Sequence, residues 1–154
     1  MKENNQGEVI KLYITKNDKN KTRVSMPSIN LDFQGIIDDK FYAKNNQRAI
    51  LITSKDSYNL AQKNNINIEA GVLGENILID INPYNLLGGD KVQIGDVILE
   101  ITQNCTLCKG LTTINSKLPK LLKNDRGIFA TLISNPSSIK VGDKVTFLDK
   151  ETAI

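Results

Sequence analysis

The sequence predicts a mostly β, barrel-like fold with a few short helices, and three observations lead to it. Short runs of β-branched and aliphatic residues recur along the 154-residue chain, each bounded by residues typical of turns. A Gly-Asp dipeptide starts a strand-like run at Gly89, Gly95 and Gly142. Only two segments carry a short helical pattern. Many short strands joined by tight turns are typical of a barrel.

The first half of the chain contributes three predicted strands and one helix. Residues 27–42 predict a long loop with a strand fragment, because the segment is irregular and contains Gly35. Thr53 and Asp56 have the spacing of a capping box, with Asp in the place of Glu, and this spacing predicts the start of the helix. The predicted elements in chain order are strands at 8–14 (EVIKLYI), 22–25 and 49–53 (AILIT), and a helix at 54–63 that turns Leu60 and Ala61 to the core.

The second half predicts five strands and one helix. Gly95-Asp96 between two apolar runs is a hairpin signal. Pro119 suits the first turn of a short helix, where its missing N–H is not needed. The predicted elements are strands at 77–81, 91–94, 97–101, 127–133 and 144–148, and a helix at 117–123 (KLPKLLK).

Composition narrows the classes of function. The chain is expected to form one domain over residues 1–154, with ordinary globular fractions of 40% hydrophobic and 24% charged residues. It has no histidine, which removes Ser-His-Asp and Cys-His catalysis and histidine metal sites. No apolar run reaches the ~18 residues of a membrane helix, and no signal region precedes the first strand, so a cytoplasmic location is expected. A net charge of +3 and eight aromatic residues without Trp are weak support for nucleic-acid binding, and none is expected.

Cys105 and Cys108, spaced as C-x-x-C directly after a predicted strand, are the sharpest local feature. Four interpretations remain open on spacing alone. They are a zinc site shared across a dimer, a thioredoxin-like dithiol, a pair of buried structural thiols, and one reactive cysteine with the other as its neighbour. In the last case Lys109 would stabilise the Cys108 thiolate. A metal site within one chain is not predicted, because the further ligands are missing.

The order of motifs resembles the MOSC domain family, named for the C-terminal domain of molybdenum cofactor sulfurases. The resemblance covers residues 35–148, and its most specific part is Gly71-Val-Leu-Gly-Glu-Asn-Ile77, similar to the family motif G-x-x-GEN-[IL]. Thr102-Gln103 is similar to the family's Thr-Gln dipeptide, which a cysteine follows a few residues later. Arg126-Gly-Ile-Phe-Ala130 is similar to the family segment R-G-x-[FY]-A. Ile139-Lys-Val-Gly-Asp143 is similar to the family's closing I-x-x-GD turn. The resemblance implies a β-barrel-like fold and a functional cysteine.

The resemblance also implies the candidate site residues. Counting from Thr102-Gln103, the family's cysteine is Cys108, and Cys105 echoes the first of two nearby cysteines in other members. The family pattern G-x-x-GD-x-H is altered here, because Asp38 replaces its second glycine and Phe41 its histidine. The predicted catalytic residues are Cys108 and Cys105, and the predicted cofactor-binding residues are Asp39, Arg48, Glu75, Asn76 and Arg126. Pairing of Arg48 or Arg126 with Asp39 or Glu75 inside the barrel is an equal alternative.

The resemblance implies that the chain holds sulfur as a persulfide on Cys108, binds molybdenum cofactor, or does both. Either role would serve the sulfuration of that cofactor or of metal–sulfur clusters. Pyridoxal phosphate is not expected, since no Schiff-base lysine motif is present, so a cysteine desulfurase or a molybdoenzyme is the expected partner. Whether the chain is itself an enzyme stays open, as does a homodimer. The alternatives are a molybdenum-cofactor-dependent reductase of N-hydroxylated compounds with an electron-donor partner, and a non-enzymatic dithiol or zinc-linked binding module.

Overall fold

The computed structural model describes residues 5–106 and 110–148, and within them the chain forms eleven strands and three short helices. The strands, β1 to β11 in chain order, are Gln6–Thr15, Arg23–Met26, Ser28–Asp32, Gly35–Ile36, Ile50–Ser54, Ile77–Ile79, Lys91–Ile94, Val97–Asn104, Ile128–Leu132, Ser137–Lys140 and Lys144–Phe147. The helices, α1 to α3, are Lys55–Lys63, Leu111–Ile114 and Leu118–Leu121. The mostly β prediction is confirmed.

Seven strands close into a barrel in the order β1, β6, β5, β9, β8, β7, β11, and β11 returns to β1. All neighbours in this ring are antiparallel except β5 and β6. Parallel strands cannot be joined by a tight turn, and the connection from β5 to β6 accordingly contains α1. The predicted hairpin at Gly95 is present, with a positive φ of 57° that glycine adopts without strain.

The barrel interior is filled by aliphatic side chains. Along β5 and β9, Ile50, Ile52, Ile128 and Ala130 belong to one buried cluster that reaches every strand of the ring. Side chains of a strand alternate between its two faces, so Leu51, between Ile50 and Ile52, faces outward. On this outward face Leu51 packs with Phe129 and Cys105.

A second sheet of three strands, in the order β10, β3, β4, lies against the barrel. The prediction of a loop with one strand fragment over 27–42 was therefore incomplete, because both β3 and β4 form there. The reason is a non-local pairing: Ile29 of β3 lies opposite Ile139 of β10, and the polar sequence Ser137–Lys140 carries no strand pattern of its own. The buried side chains of this sheet join the barrel cluster.

The helices pack a second apolar cluster outside the barrel, here called the helical cluster. Its buried members are Ala61, Ile66, Leu73, Leu111, Leu118 and Leu122. α1 begins one residue later than predicted, because the Ser54 hydroxyl, not that of Thr53, accepts from the N–H of Asp56 at 3.1 Å. α2 was not predicted at all. No helix in the described ranges is long and apolar enough to cross a membrane.

Candidate functional site

Cys105 follows β8 and lies on the outer face of the barrel. Its N–H donates to the carbonyl oxygen of Gly127 at 2.9 Å, so the pairing of β8 with β9 continues to the cysteine. The side chain is 2% exposed and packs in a small cluster with Leu51 and Phe129. It is a free cysteine. Cys108, the predicted sulfur-bearing residue, lies outside the described residues together with Leu107 and Lys109.

Gly127 is required by close packing beside Cys105. A Cβ at this position would lie 2.8 Å from Cδ1 of Leu51, 3.0 Å from Oγ1 of Thr53 and 3.2 Å from the carbonyl oxygen of Ile52. The last of these atoms is backbone and cannot move aside cheaply. The glycine of the Arg-Gly dipeptide therefore lets β9 and β5 approach closely where Cys105 is anchored.

The loop from Gly71 to Asn76 is organised around the Glu75 carboxylate, which is completely buried. Its Oε2 accepts from the Tyr58 hydroxyl at 2.6 Å and from the N–H of Gly71 at 3.1 Å. Burial, and then the nearby Glu75 carboxylate, raise the pKa of Tyr58 far above its usual range, so the hydroxyl stays a donor. Oε1 of Glu75 is buried and has no hydrogen-bond partner among the described residues.

Arg23 also binds this loop, and no motif in the sequence pointed to this role. Its Nη2 donates to the carbonyl oxygens of Gly71 at 2.8 Å and Glu75 at 2.5 Å, and its Nη1 donates to the Thr15 hydroxyl at 3.1 Å. The guanidinium lies 5.2 Å from the ring centre of Tyr13. Gly71 also touches this ring, since a Cβ there would come within 2.9 Å of it. Arg23 therefore holds the two ends of this loop together.

Arg126 joins the loop to the strand end that carries Cys105. Its Nε and Nη2 donate to the carbonyl oxygen of Leu73 at 3.3 and 3.1 Å. A Cβ added at Gly74 would lie 3.7 Å from Nη2. The residue after Arg126 is Gly127, the backbone partner of Cys105. The half-buried Arg126 is thus positioned between the Gly71–Asn76 loop and the cysteine strand.

Asp39 and Asn76, two predicted cofactor-binding residues, are buried in a hydrogen-bond network of their own. Oδ1 of Asp39 accepts from the N–H of Thr15 at 2.8 Å and from Nδ2 of Asn76 at 3.3 Å. Oδ1 of Asn76 accepts from the N–H of Leu51 at 3.0 Å. These contacts tie the ends of β1, β5 and β6 together. Each residue is only 4% exposed, and their role in binding a cofactor stays a prediction.

Arg48 lies away from Cys105. Arg48 is exposed and lies just before the first residue of β5. Asn104 and Ile52 both pair with Ile128, so Asn104 is level with the second half of β5. Cys105 comes directly after Asn104 and therefore lies toward the opposite end of β5 from Arg48. The alternative in which Arg48 pairs with Asp39 or Glu75 inside the barrel does not fit its exposure. The structure brings Cys105, Arg126 and the Glu75 loop together and leaves Arg48 outside this group.

A pocket of about 350 Å³ opens beside Cys105. Cys105 and Thr106 form one side of it, and the other described residues that line it come from α2, α3 and the turn after α3: Leu111, Pro119, Lys120, Leu122 and Lys123. Sequence reasoning did not single out the two lysines. The signal was present in KLPKLLK, where lysines and leucines fall on opposite faces of the predicted helix.

Comparison with known proteins agrees with the fold. The crystal structure of the YUAD protein from Bacillus subtilis superimposes with a TM-score of 0.76, at 18% identity, covering 93% of this chain and 97% of that one. YiiM from Geobacillus stearothermophilus matches with a TM-score of 0.71 at 14% identity over 94% of this chain and 76% of its own. YiiM from Escherichia coli gives 0.70 at 17% identity over 94% and 70%.

At these identities the solved structures show a shared fold and no more. No protein of curated function matches the sequence significantly. The family model of the MOSC domain matches residues 39–146, well over half of the chain and close to the range 35–148 on which the resemblance rests. The matched range contains Glu75, Cys105 and Arg126, the residues that the structure brings together. The chain therefore belongs to the MOSC domain family.

Proposed function

We propose that this MOSC-domain protein carries sulfur as a persulfide on Cys108 and works in association with the molybdenum cofactor. The observation that supports this most directly is the position of Cys105, the first residue of the C-x-x-C motif. Its N–H is bound by Gly127, the residue after Arg126, and Arg126 joins the Gly71–Asn76 loop to the start of β9. The family is associated with that cofactor, and the family match spans both cysteines.

Sulfur loading requires a donor persulfide, because the chain shows no motif for making one. The Cys108 thiolate attacks the outer sulfur of a donor R–S–SH, the donor's S–S bond breaks, and the donor leaves as the thiolate R–S⁻. The product is Cys108–S–SH, so one neutral sulfur atom moves and no external oxidant or reductant is consumed. A partner cysteine desulfurase is the class of protein that would present such a donor.

Cys105 positions the segment that carries Cys108. Its backbone continues the β8–β9 pairing, and its side chain is buried against Leu51 and Phe129, so the chain is anchored three residues before Cys108. Cys105 is 2% exposed and borders a pocket of about 350 Å³, which admits a small molecule but not the surface of a protein donor. Cys108 is accordingly the sulfur-bearing residue of the pair in this proposal.

The residues near Cys105 fit the polar edges of a pterin cofactor in their chemistry. Arg126 supplies a half-buried guanidinium for anionic or carbonyl groups, and the buried Oδ1 of Asn104 has no hydrogen-bond partner among the described residues, which suits an N–H donor. Glu75 and Asn76 would act through the loop they organise. When bound, the cofactor supplies redox chemistry at molybdenum.

Intact mass spectrometry tests the proposal. Protein purified without oxygen or reductant should carry an adduct of about 32 Da that dithiothreitol removes. The adduct should be present in Cys105→Ala and absent from Cys108→Ala, and the two variants are matched controls in one segment. An adduct that persists in Cys108→Ala would refute the assignment. A loss of about 2 Da in the parent protein, which means a Cys105–Cys108 disulfide, would favour the dithiol alternative instead.

A further inference from the structure

The pocket beside Cys105 combines an apolar wall with a cationic rim. Leu111 and Leu122 are 2% and 1% exposed, belong to the helical cluster, and form the wall together with Pro119. The volume of about 350 Å³ is at the lower end for small-molecule sites, and it exceeds what a bare oxyanion needs. The wall suits a flat or apolar body.

Two lysines border this pocket, and no Asp or Glu is among its described lining residues. Lys120 on α3 and Lys123 just after it both line the pocket and are exposed, and neither has a salt-bridge partner among the described residues. Between Cys105 and Lys123 the sequence contains four lysines and no Asp or Glu.

The position of the lysines is set by the packing of their neighbours. Leu118 and Leu122 are buried at 0% and 1% exposure, which anchors the apolar face of α3 on the helical cluster. Lys120 on α3 and Lys123, two residues after the helix ends, both border the pocket. The fold therefore holds two positive charges next to the wall of one pocket.

We propose that this pocket binds a phosphate monoester whose body is flat and apolar, with the phosphate at Lys120 and Lys123 and the body against Leu111, Pro119 and Leu122. At neutral pH such a phosphate carries between one and a half and two negative charges, roughly matching the two ammonium groups. For its natural ligand the inference rests on the proposed function, because a phosphorylated pterin belongs to this chemical class. Binding of a simple aryl phosphate does not depend on that function.

Calorimetric titration of the full chain with phenyl phosphate, inorganic phosphate and phenol tests the pocket. Phenyl phosphate should bind more tightly than inorganic phosphate, because it also covers the apolar wall, and phenol should bind least. The double variant Lys120→Gln/Lys123→Gln should bind phenyl phosphate roughly tenfold more weakly, as expected for losing two exposed charge pairs. Lys55→Gln/Lys63→Gln, which removes two exposed lysines of α1, is the matched control and should bind as the parent does.

Alkylation of Cys105 locates the bound probe. In a Cys108→Ser background, phenyl phosphate at ten times its dissociation constant should slow the reaction of Cys105 with iodoacetamide about tenfold, because Cys105 lines the pocket. The control pair of lysines should keep this protection, and the Lys120/Lys123 pair should lose most of it at the same probe concentration.

Absence of phenyl phosphate binding, equal weakening in both double variants, or binding without protection of Cys105 would each overturn the inference. Persulfide loading of the parent protein, measured by mass, separates this result from the proposed function. Normal loading on Cys108 with no phosphate binding would remove the pocket assignment alone. Phosphate binding without any loading would remove the sulfur-carrier proposal alone.

Discussion

The inside of the barrel and its outer face beside Cys105 are built from the same strands but differ in chemistry. Inward, Ile52 and Ile128 join a continuous aliphatic cluster. Outward, Leu51 and Phe129 of the same two strands pack against Cys105, and the Thr53 hydroxyl donates to the carbonyl oxygen of Arg126. The outer side also carries the Gly71–Asn76 loop with its buried Glu75, and the pocket that Lys120 and Lys123 line.

The difference shows where chemistry is possible in this fold. A barrel of about this many strands has an interior only wide enough for its own side chains, so it provides stability and no binding space. The outer face is covered by short helices and loops whose side chains leave a pocket. We therefore expect substitutions inside the barrel to change stability, and substitutions on the outer face to change the behaviour of Cys105 as well.

The largest effect is expected from Leu99→Ala inside the barrel. Leu99 is completely buried, and its truncation should lower the free energy of unfolding by about 3 kcal/mol through lost burial and the cavity left behind. Urea denaturation measures this change. Leu87→Ala, at a residue that is 68% exposed, is the control and should change stability by less than about 0.5 kcal/mol. Equal effects at the two sites would contradict the assignment of Leu99 to the core.

Gly127→Ala tests the outer face and should cost about 2 kcal/mol, because the added methyl overpacks Leu51 and the backbone of β5. Unlike Leu99→Ala, it should also raise the alkylation rate of Cys105 under conditions where the protein remains folded. The reason is that the carbonyl oxygen of Gly127 anchors the N–H of Cys105. A variant with parent-like stability and an unchanged Cys105 rate would show that the close approach of β5 and β9 does not matter.

A smaller effect, about 1.5 kcal/mol, is expected from Tyr58→Phe, which removes the hydrogen bond to the Glu75 carboxylate. The variant should also change the pH dependence of stability. Burial raises the pKa of Tyr58 in the folded state, so the folded protein keeps a proton that the unfolded chain loses near pH 10. The contribution of Tyr58 is therefore complete below that pH and declines as the pH rises above it.

Urea titrations between pH 7 and 11 measure this alkaline decline, which should be shallower in Tyr58→Phe than in the parent. Tyr42→Phe is the control, because the hydroxyl of Tyr42 bonds Asp32 in a more accessible place and its removal should cost less. An identical alkaline slope in the parent and Tyr58→Phe would place the effect elsewhere.

Most strands could be predicted because their signals are local. Residues 8–14, 49–53 and 97–101 are compact apolar runs, and each lies within an observed strand or overlaps nearly all of it. The strand Ser137–Lys140 could not be predicted, since its polar sequence becomes a strand only by pairing with Ser28–Asp32, more than a hundred residues earlier. The same reason explains the incomplete prediction over 27–42.

The candidate site divides in the same way. The motif Gly71–Ile77 and the segment Arg126–Ala130 were identified in the sequence, and the structure joins them through the contact of Arg126 with Leu73. The contribution of Arg23 could not be predicted, because it binds the backbone carbonyl oxygens of Gly71 and Glu75. Every residue has a carbonyl oxygen, so the sequence does not show which one an arginine will bind.

The sequence by itself determined the fold class, the family and most of the strands of the barrel, because apolar periodicity, turn residues and short motifs are local properties. Only the tertiary structure decided that Cys105 faces outward, that Arg48 lies apart from it, and that Lys120 and Lys123 stand beside it. Those relations depend on barrel closure and on which face of each strand meets the helices. They are set by packing between residues far apart in the chain.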